Sequence, residues 1–181
     1  MCSARCLTAV ALVLGSSAVA ALPAAANPGA NLGANGIGSV HFGLAKAEAV
    51  RELSSLFGKP TARGIDTGCG PRWTEVFYGD DLEAEFTGST FTGYRYKAGI
   101  ERDLGPPSVH PKAGTPRLAT ALGITLGSTL RQVRSHYQLH LSGAGRWHAG
   151  NLMFYSDAQR SPAPLSSRIF EIKTMSACGD Y

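Results

Sequence analysis

The sequence predicts an α+β chain: two helix-plus-antiparallel-sheet repeats, with the helices packed on one face of a shared antiparallel sheet. Three observations predict it. Phe42-Gly43 and Leu126-Gly127, 84 residues apart, each open a run with helical spacing of apolar residues. Each run is followed by segments dense in aromatic and β-branched residues. Each half is also too short to bury much alone, so one sheet shared by both gives the larger core.

The first residues stand apart from this plan. Arg5 precedes an uncharged apolar stretch at 7–19, and Ala18-Val19-Ala20 and Ala24-Ala25-Ala26 are small-residue cleavage signals. Residues 1–26 therefore read as a secretory signal peptide. Pro23 and Pro28 break the apolar stretch before it reaches the ~20 residues of a spanning helix. The expected location is outside the cytoplasm, secreted or at the cell envelope, with no stable membrane span after cleavage. Losing Arg5 leaves 16 basic against 13 acidic residues, 16 − 13 = +3. The basic residues are dispersed, which argues against nucleic acid as a partner. Cys69 and Cys178 are the two cysteines beyond the signal. An even pair in an oxidising compartment is expected to form a disulfide, and a loop of that length removes roughly 4–5 kcal/mol of unfolded-state entropy.

Residues 27–38, rich in Gly, Asn and Ala, read as a flexible leader, and 39–97 as the first half. A helix is expected over 45–57, because Ala49, Val50, Leu53, Leu56 and Phe57 form one stripe and Gly58 and Pro60 end it. Residues 61–71 read as a polar loop. Three strands follow: 73–78, then Leu82, Ala84 and Phe86 alternating with Glu83 and Glu85, then 91–96. Gly79-Asp80-Asp81 and Gly88-Ser89-Thr90 supply the turns. Residues 98–120 contain Pro106, Pro107, Pro111 and Pro116 and read as the connector. The second half, 121–181, begins with Ser128 as the expected helix cap before Leu130, Val133 and Tyr137. Trp147 and 152–155 are strand-like, 156–167 is an irregular loop, and 168–174 alternates Ile169, Glu171 and Lys173 against Phe170 and Ile172.

An apolar residue, Gly and an amphipathic helix closed by Gly58-Lys59-Pro60, then a strand meander, resembles the repeat of secreted β-lactamase inhibitory proteins. Small outer-membrane assembly lipoproteins share that unit. The residues carrying the likeness are Phe42-Gly43, Val50 through Pro60, Leu126-Gly127 and Val133. The chain also resembles secreted proteins of high-GC, actinobacterial-type genomes. The resemblance implies a protein-binding sheet surface, inhibitor-like, rather than chemistry.

The chemistry-bearing residues agree with that expectation. His136 and His140, four apart, would share a helix face, with His148 as a third ligand, but no Glu follows His136 as a metalloprotease motif needs. They read as surface or partly packed histidines, and no metal or cofactor is expected. Glu83 and Glu85, beside Asp80 and Asp81, read as a solvated strand face rather than a glycosidase pair. No Gly-x-Ser-x-Gly elbow, phosphate loop or dinucleotide fingerprint is present, so no catalytic residue is assigned. The aromatic set Trp73, Tyr78, Tyr94, Tyr96, Trp147 and Tyr155 remains. Tyr78, Tyr94 and Tyr96 share parity and are expected as exposed anchors for another secreted or envelope protein. The alternatives are an exported hydrolase of envelope polymers and a metal or small-ligand binder.

Overall fold

In the computed structural model, residues 30–65, 73–99, 110, 117–143, 145–158 and 163–175 are described. Cys69 and Cys178, the signal segment 1–26 and most of the connector 98–120 lie outside those residues. The described chain is mostly β, with eleven strands in two antiparallel sheets and two helices. The expectation of an α+β chain of two helix-plus-sheet repeats is therefore overturned. The helical runs last only twelve and seven residues, α1 at Lys46–Phe57 and α2 at Leu130–His136. Segments without strand periodicity pair as well.

The first of those segments is the expected leader. It forms β1 (Leu32–Gly33), β2 (Gly36–Ile37) and β3 (Val40–His41), a three-stranded sheet. Leu32, Ile37 and Val40 are fully or almost fully buried. Strands of two residues are too short to show a period, so their inward residues read as scattered. Gly36, at φ 149°, lies so close to the Val40 backbone that a Cβ there would collide with it.

The large sheet has eight strands. The expected loop after α1 contributes β4 (Ala62–Ile65), followed by β5 (Trp73–Tyr78), β6 (Leu82–Thr87) and β7 (Thr90–Lys97). After α2 come β8 (His140–Gly143), β9 (Arg146–Ala149), β10 (Leu152–Ser156) and β11 (Ile169–Thr174). The order is β4-β5-β6-β7-β11-β10-β9-β8, so β7 and β11 meet at the centre and β4 and β8 are the edges. Helix α2 is capped by Thr129, not Ser128: its side chain accepts from the Gln132 N–H while Gln132 accepts from the Thr129 N–H, a reciprocal capping box.

One face of this sheet is the core. Val76, Leu82, Ala84, Phe86, Phe154 and Ile172 point into it and meet Leu53 of α1, Val133 of α2, and the small sheet. At β11 a register shift between Tyr155 and Ser156 lets Ile169 join Ile172 inside, although simple alternation would place Ile169 with Glu171 and Lys173. Among the described residues no helix is long and apolar enough to cross a membrane.

Candidate functional site

The three expected anchors lie in the core. Tyr78 is 2% exposed, and Tyr94 and Tyr96 are 0% exposed. Register explains why. Leu82, Ala84 and Phe86 fix the inward face of β6, and the pairs Tyr78↔Leu82, Ala84↔Tyr94 and Leu82↔Tyr96 carry that parity to β5 and β7. Each hydroxyl then ties one covering element to the sheet. Tyr78 donates to Val50 O of α1 at 3.2 Å, and Tyr94 donates to Gly33 O of the small sheet at 3.0 Å. Tyr96 accepts from the Leu118 N–H at 3.2 Å. Burial raises the pKa of all three phenols above its usual range.

The opposite face, called outer below, carries the site. Pairing places Phe77, Glu83, Arg95, Lys173, Met153, His148 and His140 in one row across seven strands, from β5 to β8. A neighbouring row holds Glu75 against Glu85, and Glu85 against Gly93. On β11, two residues from Lys173, Glu171 pairs with Tyr155. Trp73 shares this face with Glu75 and Phe77 by alternation along β5.

At the centre, Arg95 Nη1 is 3.6 Å from Glu83 Oε2 and Arg95 Nε is 3.5 Å from Glu171 Oε1. These are ion-pair distances, longer than a good hydrogen bond. The Arg95 side chain keeps 26% of its exposure. Lys173 Nζ lies over the Tyr155 ring, 5.1 Å from its centroid, and Tyr155 meets Phe170 at 6.3 Å. Gly64 stands opposite Glu75 in β4, and a Cβ there would come within 3.0 Å of the Glu75 carboxylate.

Glu83 and Glu85 do not form the solvated face that alternation suggested. They are 2% and 3% exposed. Burial pushes the Glu83 pKa up to about 7, opposed by Arg95 and reinforced by the charge of Glu75 and a hydrogen bond with it. Burial pushes Glu85 up to about 8, with the Glu83 charge adding to it and Arg95 and Lys173 opposing. Among the described residues, Glu85 Oε2 finds no hydrogen-bond partner. At neutral pH Glu85 is therefore largely a neutral acid. A glycosidase pair must face its substrate from two sides of a cleft; here both carboxyls project from one strand and are closed off from solvent.

The histidines are also rearranged. Helix α2 ends at His136, since Tyr137 is already extended at φ −127° and ψ 138°. His136 and His140 thus do not share a helix face. His140 instead pairs with His148 across β8 and β9, with ring centroids 5.3 Å apart. A hairpin from Leu139 onward was the missed signal. Trp147, from the aromatic set, packs towards the core. Among the described residues, no group of three or more His, Cys, Asp and Glu side chains is gathered to hold a metal.

No family model matches the chain, and no curated protein or solved structure shows significant similarity to it.

Proposed function

We propose that the protein is an exported, non-catalytic binding protein that holds another protein against the outer face of its eight-stranded sheet. One observation carries this reading: half-buried Trp73, Phe77 and Tyr155 surround an ion-paired centre in which Arg95 is oriented by Glu83 and Glu171 yet remains 26% exposed. Aromatic residues and arginine are the side chains that most often dominate protein interfaces. They present a large rigid area, and here the arginine has already lost much of its rotamer freedom before contact. The signal-like residues 1–26 favour an extracellular or envelope partner. The expected sheet surface is retained in this proposal, but Tyr78, Tyr94 and Tyr96 are not its anchors.

Capture with the secreted form as bait, against culture supernatant and envelope extract with quantitative mass spectrometry, tests it. A saturable partner is expected, weakened at least tenfold by Trp73→Ala or Tyr155→Ala. Leu122→Ala, at an exposed position away from the sheet, is expected to leave capture unchanged. Capture that survives both aromatic substitutions contradicts the reading.

A further inference from the structure

At the β8 edge the outer face carries a second arrangement, independent of the aromatic rim. His140 and His148 are direct cross-strand partners, and Met153 is the partner of His148 on the next strand. Register therefore puts two imidazoles and a thioether side by side on one face. Two imidazoles that share one ion at about 2.0 Å in tetrahedral to trigonal geometry hold their ring centres about 5.1–5.5 Å apart. The His140–His148 separation is 5.3 Å. The rings thus stand at chelating distance, and closing on an ion needs rotation about the side-chain bonds rather than movement of the strands.

We propose that His140, His148 and Met153 form a binding site for a single Cu(I) ion. The donor set selects the metal. Two neutral nitrogens and a soft thioether, with no carboxylate among the direct cross-strand partners of His140, His148 and Met153, suit Cu(I), whereas Zn(II) and harder ions favour sites completed by thiolate or oxygen. Met153 is 3% exposed, which shields the thioether from water, while exposed His140 gives the ion a route in from the edge. The two nearby cations are turned aside. Lys173 Nζ sits over the Tyr155 ring, and the Arg146 guanidinium lies against Gly143. A monovalent ion with neutral ligands also adds the least charge beside them.

The test uses the whole secreted protein with its thiols alkylated, titrated with Cu(I) under ascorbate against a chromogenic chelator. One equivalent is expected to bind. His140→Ala, at an exposed edge position, and Met153→Leu, which keeps side-chain volume, should each weaken Cu(I) at least tenfold with unchanged circular dichroism. X-ray absorption of the loaded protein should show nitrogen and sulfur neighbours. Met153→Leu should leave any Zn(II) uptake unaltered. No bound Cu(I), an affinity unchanged in both variants, or a copper shell without sulfur overturns the assignment.

Discussion

Replacing Tyr94 by alanine is expected to cost about 3–5 kcal/mol, the range for deleting a large buried aromatic side chain. For a domain of this size, that lowers the melting temperature by about 6–20 °C at about 2–4 °C per kcal/mol. The site explains the size of the effect. Tyr94 is 0% exposed, pairs with Ala84, approaches the Phe42 ring at 6.3 Å, and donates its hydroxyl to Gly33 O at 3.0 Å. It joins the large sheet to the three-stranded one. Tyr94→Phe keeps the ring and removes only the hydroxyl, so about 1–2 kcal/mol is expected. Urea unfolding, read as a fall in midpoint at constant slope, measures both. An exposed anchor would give less than about 0.5 kcal/mol in either case, and such a result would place Tyr94 outside the core.

The second large effect depends on pH. Glu85 has its pKa raised from 4.5 to about 8 in the folded protein, and Glu83 to about 7. A group with a raised folded pKa binds its proton more tightly when folded. Its stabilisation is therefore complete below the unfolded value and is lost as pH rises through the folded one. The protein should lose stability from about pH 5 to pH 9, on the order of several kcal/mol at about 1.4 kcal/mol for each pKa unit. Glu85→Gln isolates one contribution, because the amide is nearly isosteric with the neutral acid. The variant should match the parent within about 1 kcal/mol at pH 5 and exceed it by about 2–4 kcal/mol at pH 9. Thermal unfolding at the two pH values decides it. A loss of stability of equal size at both would mean that Glu85 is ionised and well paired in the folded state.

Much of the element pattern was legible. Helix α1 ends where Gly58 and Pro60 stop it, and β5, β6 and β7 fall on the aromatic and alternating runs that the two expected turns separate. What periodicity does not report is pairing. Strand β4, whose Ala62, Arg63, Gly64 and Ile65 read as loop, belongs to the sheet because it pairs with β5 along its whole length. The two-residue strands of the small sheet and the edge strand β8 escaped for the same reason.

The inward face of the tyrosines was legible in principle. Gly88-Ser89 makes a two-residue turn between paired Thr87 and Thr90, and such a turn fixes register. Counting back through the shift between Glu85 and Phe86 is what the sequence alone does not show. Without that bulge, the count puts Tyr94 and Tyr96 on the wrong face. The charged centre was hidden by the opposite error. Alternating glutamates normally mark a wet surface, and it takes the shifted pairing of β6 with β7 to bring Arg95 beside them and the pairing of β7 with β11 to add Glu171 and Lys173. The copper site is a contact of the same kind: His140 and His148 are eight positions apart, and the hairpin sets them side by side.

Radical footprinting of the captured complex addresses the outer face most directly. In the free protein Trp73, Phe77 and Tyr155 should be oxidised, together with exposed Leu122 and Ile65. In the complex the three aromatic residues should become protected while Leu122 stays reactive. Protection centred on Leu122, with Trp73, Phe77 and Tyr155 oxidised as before, would contradict the account.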